Sequence, residues 1–220
     1  MPMPTIHAGD LYRIITAVAP HADTDTTFAI RSVHLEVDRT HITAVATDRR
    51  TMAVARHPLI TPAGTAITQT IDLDAATGLA GRLLCTPAAV VDLSGLHTDP
   101  SVTIDSHHRH ELYCPVPEVE SRFPDWRAKL RTITDIPAEP VSALGMDPAL
   151  LARLTAVPTT EAAELHMTGS ANPVLARIGD WYLAAIMPRR PDSTDRDRAD
   201  RVISLARDLA GASGGLEAAV

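Results

Sequence analysis

The chain has 220 residues, of which 45% are hydrophobic, and it carries a formal net charge of −7. This length suits one large domain or two small ones, and an aromatic content of only 3% means that the core must be built from alanine, valine, leucine and isoleucine. The acidic total argues against a protein that coats nucleic acid over its whole surface, but it is compatible with a locally basic surface.

The sequence contains no sign of membrane insertion or secretion. Its apolar runs are far shorter than the roughly 20 residues of a membrane-spanning helix, and the start MPMPTIHAGD lacks the basic and apolar regions of a signal peptide. Two widely spaced cysteines, Cys85 and Cys114, fit buried thiols better than a disulfide framework, with a bridge between them as the alternative. We therefore expect a cytoplasmic protein without membrane contact.

The first unit is predicted as a helix followed by three short strands. The helix covers residues 8–20, with Asp10 as its N-cap and Pro20 at its end. Its apolar stripe consists of Leu11, Ile14, Ile15 and Val18. A strand is expected at about 28–37, where apolar and polar residues alternate, and two more at about 41–47 and 51–57.

A second unit repeats this order with an added first strand. The strand lies near 66–73, and the helix at about 74–84 is weakened by Gly78 and Gly81. Strands near 88–93, 101–105 and 110–116 complete the unit.

The third unit has the same order again. A strand near 140–145 precedes a helix at 147–157, which has Asp147 as N-cap and Pro148 at its first position. Strands follow near 163–167, 173–178 and 182–187. The first and third helices also share letters, LYRIITAV at 11–18 and LLARLTAV at 150–157, which favours an internal repeat of about sixty residues.

The last segment differs from the units before it. Residues 191–197 form a charged linker, 198–211 an amphipathic helix, and 212–220 a disordered tail.

Three motifs resemble the bacterial DNA polymerase III β sliding clamp family. VATDRRTMAVARHPL at 45–59 is similar to a hairpin of that family, SRFPDWRAKL at 121–130 to its "GRFPDYRRVLP" segment, and NPVLARIGDWYLAAIMPRR at 172–190 to its closing strands. The motifs occur in the family's order. The resemblance implies an α+β, DNA-clamp-like fold with three βαβββ-type units and helices on one face of antiparallel sheets.

The resemblance also implies a domain organisation. Residues 1–130 resemble the whole middle domain of the clamp, residues 131–190 the end of its last domain, and 191–220 form the linker, helix and tail. The family clamp is a head-to-tail ring of such units around DNA, and this chain offers only three of them.

In the family, a pocket between the middle and last domains takes a short peptide from polymerases and other replication proteins. The residues that match this pocket are Ile30, Thr47, Arg50, Met52, Pro124, Met187, Pro188 and Arg189. Arg49 and Arg50 replace a glycine–histidine pair of the family, and Arg189 replaces a methionine, so the rim becomes more cationic and altered peptide choice is expected. Loss of peptide binding is the alternative, and the bland interpretation is a packed loop beside core methionines.

The family contacts DNA through basic residues on helices that face the hole of the ring, without reading sequence. Arg13, Arg82 and Arg153, one on each predicted helix, match this role. One cation on each helix is sparse, so solvated arginines are the alternative interpretation. The expected partners are double-stranded DNA, DNA polymerase and other proteins with a clamp-binding motif, together with further copies of the chain.

Catalytic chemistry is not indicated by the sequence. The stretch DSHHRHELYC at 105–114 brings His108, His110 and Cys114 to one side of a strand, but three ligands on a straight strand span too far for one ion. We therefore predict a polar hairpin tip and no metal, no cofactor and no enzymatic activity; an enzyme that uses this strand is the third interpretation.

Two interpretations of the whole chain stay open. A sliding-clamp-like processivity factor would encircle DNA as an oligomer, whereas a clamp-derived adaptor or decoy would bind clamp clients without encircling DNA. Half a domain leaves a sheet edge and a helix face unpaired, and the helix at 198–211 is a candidate to cover that face. Its position after residue 190 also predicts that deleting residues 192–220 changes peptide affinity.

Overall fold

Antiparallel strands dominate the computed structural model of the protein, which describes residues 3–25, 30–98, 101–106, 110–115, 122–141, 143–189 and 195–212. The strands form a four-stranded sheet and a seven-stranded sheet. Helices pack on them, so the predicted α+β class is confirmed.

The first unit follows the predicted order, with one strand added at its start. Its helix begins at Ala8 rather than at Asp10, because the backbone N–H groups of Ala8 and Gly9 donate to the carbonyls of Ala89 and Pro87 and need no side-chain cap. The elements are β1 (Thr5–His7), α1 (Ala8–Val18), a 3₁₀ turn (Ala19–His21), β2 (Ser32–Val37), β3 (His41–Thr47) and β4 (Thr51–Pro58).

The second unit is interlocked with the first through its initial strand. Strand β5 pairs with β2 of the first unit, while β1 pairs with β6 of the second. This exchange gives the orders β1-β6-β7-β8 and β5-β2-β3-β4. The elements are β5 (Ile67–Asp72), α2 (Leu73–Cys85), β6 (Val90–Asp92), α3 (Gly95–Thr98), β7 (Ser101–Ser106) and β8 (His110–Pro115).

The third unit extends the larger sheet. Strand β11 pairs with β4, so the sheet continues in the order β4-β11-β10-β9. One sheet therefore joins the two predicted domains, residues 1–130 and 131–190. The boundary at residue 130 stays a prediction, and it falls inside helix α4. The elements are α4 (Trp126–Thr134), α5 (Pro148–Ala152), a 3₁₀ turn (Arg153–Ala156), β9 (Ala163–His166), β10 (Val174–Ile178), β11 (Tyr182–Ile186) and α6 (Asp195–Ala212).

Three sequence predictions are wrong or incomplete in this region. Residues 140, 141 and 143–145 form no strand, so the third unit lacks its first strand among the described residues. Helix α4 is an additional element, in a segment where the sequence predicts no helix. The third helix turns into a 3₁₀ turn after Ala152, although Asp147 caps it as predicted by accepting from the Ala149 backbone N–H at 2.9 Å.

Apolar clusters cover both faces of the seven-stranded sheet in its central strands. Period-two alternation sends Ala44, Ala53 and Ile186 into the main core with α1, α2 and α5, where Leu11, Ile14 and Leu150 are buried. The opposite face presents a smaller apolar cluster, against which α4 packs. Helices therefore lie on one face, as predicted, except for α4.

The prediction of buried thiols is wrong for Cys85. The core-facing residues of α2 are Ala76, Leu79, Ala80 and Leu83, and Cys85 falls on the other side of the helix, where it is exposed as a free thiol. The side chain of Cys114 lies outside the described residues.

Helix α6 begins three residues before its predicted start, and residues 213–220 lie outside the description. Val202, Ile203 and Leu205 are exposed on α6, so these side chains cover no unpaired face of the fold. In the part of the chain that the structure describes, no helix is both long and apolar enough to cross a membrane.

Candidate peptide-binding groove

A groove of about 560 Å³ lies between the β3–β4 turn, the end of β11 and helix α4. Its size falls in the range of ligand sites in proteins. The lining residues are Ile30, Thr47, Arg49, Arg50, Thr51, Met52, Pro124, Trp126, Lys129, Thr132, Ile133, Pro173, Ala185 and Met187.

The floor of the groove is apolar. Met52 at the start of β4 and Ala185 on β11 are nearly buried, and they pair with each other across the sheet. Met187, which follows β11, is 40% exposed. A flexible thioether on a partly exposed surface is suited to contact with varied apolar ligands.

Asp48 shapes the β3–β4 turn that forms one wall. Its Oδ1 accepts hydrogen bonds from the backbone N–H groups of Arg50 at 2.9 Å and Thr51 at 2.7 Å. These bonds replace the glycine or asparagine that usually makes such a turn. Arg49 consequently stands at φ 72°, a left-handed conformation that non-glycine residues rarely adopt.

An ion pair between Asp48 and Arg153, in the 3₁₀ turn after α5, also stabilises the β3–β4 turn. Arg153 Nη1 lies 2.7 Å from Asp48 Oδ2 and also donates to the Thr51 hydroxyl. Burial opposes ionisation of Asp48, but the hydrogen bonds from Thr51 and the charge of Arg153 lower the pKa of this carboxyl below its ordinary value. The turn is therefore fixed to the third unit by an ionised carboxylate.

Arg50 connects the turn to the segment that follows β11. Its carbonyl accepts from the Met187 backbone N–H at 2.8 Å, while its Nη2 donates to Asp147 Oδ2 at 2.8 Å. This hydrogen bond is the main cause that lowers the pKa of Asp147, which also caps α5. The Arg50 side chain is still 60% exposed at the rim of the groove.

Helix α4 forms the opposite wall. Asp125 caps it by accepting from the Ala128 backbone N–H at 2.9 Å, and Trp126, Leu130 and Ile133 pack onto the apolar cluster around Val45. These residues follow the spacing of one helix face.

Glu36 on β2 holds the beginning of α4 in place. The indole N–H of Trp126 donates to it at 2.9 Å, and the guanidinium of Arg127 donates to the same carboxylate at 2.8 Å. Burial opposes ionisation of Glu36, but these donors outweigh it and lower its pKa. His34 adds a stacked contact with Phe123, with 4.7 Å between the ring centroids.

Most residues that the family resemblance assigns to the pocket meet in this groove. Those that line it are Ile30, Thr47, Arg50, Met52, Pro124 and Met187. Pro188 is buried, Arg189 is exposed with its N–H bonded to the Gly145 carbonyl, and neither of the two lines the groove. The peptide-binding role of all eight residues stays a prediction.

Sequence reasoning missed that this segment is a helix and that Trp126, Thr132 and Ile133 line the groove from it. The signal was present, since an aspartate precedes apolar residues at positions 126, 130 and 133. Arg49, which the resemblance places at the rim with Arg50, also lines the groove.

The three arginines that were matched to DNA contact have different surroundings. Arg13 stacks on Trp181, with its guanidinium carbon 3.8 Å from the ring centroid, and lies 3.5 Å from Glu161. Arg153 is directed to Asp48, and Arg82 is exposed on α2. Two of the three guanidinium groups, those of Arg13 and Arg153, therefore face carboxylates of the same chain, and the DNA-binding role of all three residues stays a prediction.

Metal chemistry finds no support in the described part of the chain, which contains no group of three potential metal ligands. The side chains of the histidine-rich stretch at 106–110 lie outside the described residues. The groove itself offers apolar contacts, hydroxyls and cations.

Comparison with known proteins places the fold. In sequence, no protein-family model and no curated protein matches the chain. In structure, it is similar to the DNA polymerase III β subunit of Pseudomonas aeruginosa, with a TM-score of 0.66 and 17% identity over 87% of this chain and 67% of that one. The β subunit of Thermotoga maritima gives a TM-score of 0.66 and 15% identity over 86% and 66% of the two chains.

A Pseudomonas aeruginosa clamp solved with bound griselimycin is also similar, with a TM-score of 0.65 and 15% identity over 87% of this chain and 66% of that chain. The chain thus has the fold of bacterial sliding clamps while spanning about two thirds of their length. The predicted DNA-clamp-like fold is confirmed, with a sequence that has diverged widely.

Proposed function

We propose that this protein is a non-catalytic, clamp-like binding protein of the cytoplasm, which holds a short peptide segment of a DNA polymerase or another replication or repair protein. The observation that carries the proposal is the apolar-floored groove at the junction of β4 and β11. Apolar side chains anchored in such a groove supply most of the binding energy in peptide complexes.

The clamp fold supports this proposal. A Pseudomonas aeruginosa clamp of similar fold has been solved bound to griselimycin, so a clamp of this architecture takes a ligand. Six of the eight residues that resemble the family pocket, Met52 and Met187 among them, line one groove here.

Methionine methyl NMR tests the groove directly. The full chain, labelled with ¹³C at the methionine methyl groups, would be titrated with a pool of synthetic hexapeptides rich in leucine, methionine and phenylalanine. We expect the Met52 and Met187 resonances to shift, while Met3, which is exposed beside the four-stranded sheet, stays unchanged. A titration that moves no groove methionine would contradict the proposal.

Two forms of this function differ in whether the protein encircles DNA: a sliding-clamp ring does, and an adaptor does not. The adaptor form is favoured by Arg13 and Arg153, whose guanidinium groups face Glu161 and Asp48 of the same chain. A ring is favoured by the open β9 end of the seven-stranded sheet.

Light scattering after size exclusion, with and without primed circular DNA, decides between them. An oligomer that stays on circular DNA and leaves it when the circle is cut would be a sliding clamp. A monomer or dimer that is indifferent to DNA would be an adaptor that binds clamp clients.

A further inference from the structure

The first two units exchange the strands that precede their helices. Strand β1 precedes α1 but pairs with β6 of the second unit, and β5 precedes α2 but pairs with β2 of the first unit. Each of these strands therefore adds to the first strand of the other unit's antiparallel meander, which is β2-β3-β4 or β6-β7-β8. The two units complete each other's sheets by this reciprocal exchange.

The third unit contains both parts of such an exchange. Its meander begins with β9, and no strand in the described part of the chain pairs with the other side of β9. Residues 143–146 precede α5 as β1 and β5 precede their helices, but they form no strand. We propose that two copies of the chain exchange these segments, so that residues 143–146 of each copy pair with β9 of the other.

Leu165 indicates that β9 is a strand whose neighbour is missing. It takes the position of Leu35 on β2, because each leucine pairs across the sheet with an alanine that is buried in the main core, Ala176 or Ala44. Leu35 lies on a strand between β3 and β5 and is 1% exposed, whereas Leu165 is 52% exposed. A strand added to β9 would cover Leu165 as β5 covers Leu35.

The segment before α5 matches β5 in two structural features. Asp72 and Asp147 cap the helices that follow, and each side chain accepts from the backbone N–H two residues later. The residues directly before these caps, Ile71 and Met146, both pack on the main core. The segment is therefore equivalent to β5 in its relation to helix and core.

This alignment also gives a register for the exchanged strand. It matches Leu144 with Gln69, which pairs with Leu35 on β2. In the same register, Leu144 of one copy would lie opposite Leu165 of the other. Two leucines form an apolar cross-strand pair that suits the core-facing side of a sheet.

One edge of the segment is held in the same way as one edge of β1. The Thr5 carbonyl accepts from the Ile60 N–H at 2.8 Å in the chain after β4, and the Gly145 carbonyl accepts from the Arg189 N–H at 2.9 Å in the chain after β11. Strand β1 uses its other edge to pair with β6. The bond to Arg189 keeps residue 145 on the β11 side of the third unit, and β10 lies between β11 and β9. The segment is therefore placed to pair with another copy rather than with its own β9.

A second copy is the partner that fits, because the third unit carries both the segment that is donated and the strand that accepts it. A two-fold axis satisfies both at once, and the exchange of identical elements is a low-cost route to a dimer. The groove lies at the junction of β4 and β11, away from β9. The dimer would present two grooves, so the inference goes beyond the proposed function and leaves it unchanged.

Disulfide trapping between full-length chains tests the exchange. Cys85 and Cys114 would be replaced by serine, and a chain with Leu165→Cys would be mixed with a size-tagged chain that carries Leu144→Cys. We expect oxidation to trap the mixed dimer, since opposite residues of paired strands are close enough for a disulfide. Ala143→Cys is the matched control, because its side chain would lie on the other face of the exchanged strand, and it should give about fivefold less trapped dimer.

Hydrogen exchange of the unmodified chain gives a measurement that needs no variant. Light scattering first finds the concentration at which the dimer dissociates. Dilution below it should speed amide exchange about tenfold in residues 143–146 and in β9 together, without a change in β3. Pairing of two β9 strands edge to edge would protect β9 alone.

The inference is supported if the mixed dimer is trapped and both segments lose protection on dilution. Trapping of the Leu165→Cys chain with itself would overturn it in favour of edge-to-edge pairing. A bridge within a single dilute chain that carries both Leu144→Cys and Leu165→Cys would overturn it too, because the segment would then fold back on its own β9. A mass that stays monomeric at every concentration would also refute it. None of these outcomes bears on peptide binding in the groove, which the methionine titration tests separately.

Discussion

Asp48 connects the β3–β4 turn to Arg153 of the third unit through one carboxylate. One oxygen accepts the backbone N–H groups of the β3–β4 turn, and the other pairs with Arg153 at 2.7 Å. Its side chain is only 11% exposed, so solvent screens the pair weakly. The turn conformation that presents Arg49 and Arg50 to the groove depends on these bonds.

We predict that Asp48→Asn destabilises the fold by about 2–3 kcal/mol, because it removes the charge opposite Arg153 in a largely buried site. Urea unfolding followed by circular dichroism measures this loss. The matched control is Asp147→Asn, which removes the charge opposite the more exposed Arg50 and should cost less. A smaller effect at Asp48 than at Asp147 would contradict the prediction.

The pH dependence of the same variant follows from the lowered pKa of Asp48. A carboxyl whose folded-state pKa is lowered stabilises the fold fully above its unfolded value of 3.8, and this contribution is lost as the pH falls through the folded value. The Asp48→Asn variant should therefore lose less stability than the wild type on acidification below pH 3.8.

His21 is the second residue with a marked consequence for stability. It is fully buried, shares a 3.0 Å hydrogen bond with the hydroxyl of Tyr182, and its Nδ1 has no partner among the described residues. Burial, assisted by the charge of Arg153, lowers the pKa of His21 to about 4. The folded chain therefore excludes a proton that the unfolded chain binds below pH 6.5.

We predict that the fold loses about 3 kcal/mol of stability through His21 as the pH falls from 6.5 to 4. Above pH 6.5 the residue is neutral in both states, and below pH 4 it is protonated in both, so the loss is confined to this window. Urea unfolding at several pH values measures this: between pH 4 and 6.5, the free energy of unfolding should depend less steeply on pH in His21→Gln than in the wild type. An equally steep dependence in both proteins would show that another group titrates.

At the scale of elements, α4 is the feature that turns a sheet face into a groove. Its residues are at most half-buried, and it is held by the Val45 cluster and by Glu36. A helix of nine residues is marginal by itself. Its order must therefore come from Trp126, Leu130 and Ile133 on the sheet.

We predict that Trp126→Ala releases α4 from the sheet, because it removes both the largest contact of the helix and the indole hydrogen bond to Glu36. Amide hydrogen exchange should accelerate over residues 126–134 by at least tenfold, with little change in the strands of the main core. Arg131→Ala on the exposed side is the control. Unchanged protection of α4 would show that the helix is stable without this anchor.

The sequence predicted most of the strands because they are short apolar runs bounded by turns, and in β2 apolar and polar residues also alternate. It also predicted that the residues now lining the groove from β3, β4 and the end of β11 come together, through their resemblance to known motifs. It could not predict the exchange of β1 and β5 between sheets, since register and partner choice are decided by distant segments.

Two local errors have local physical reasons. Asp10 has the chemistry of an N-cap, but carbonyls from residues 87 and 89 satisfy the first N–H groups of α1, and the helix starts earlier. The expected strand at 140–145 is absent among its described residues. The chain there bonds to other segments instead, with the Gly145 carbonyl accepting from Arg189.

At the scale of the whole molecule, the edge strands of the sheets are the surfaces available for assembly. Strand β9 is an edge strand of the seven-stranded sheet, and all four of its residues are exposed. Leu165 on this strand is 52% exposed. An exposed edge strand with an apolar side chain is a template for pairing with another chain, and β8 is an edge of the other sheet.

We therefore predict that the protein self-associates through β9 and that Leu165→Lys shifts it toward the monomer, because a charge on an edge strand opposes pairing. Light scattering over a hundredfold range of protein concentration should show a lower average mass for this variant. Leu84→Lys is the matched control, since Leu84 is 56% exposed on α2 and belongs to no strand edge. Equal masses for both variants and the wild type would locate any assembly elsewhere and would favour the adaptor over the ring, because a ring must close through its sheet edges.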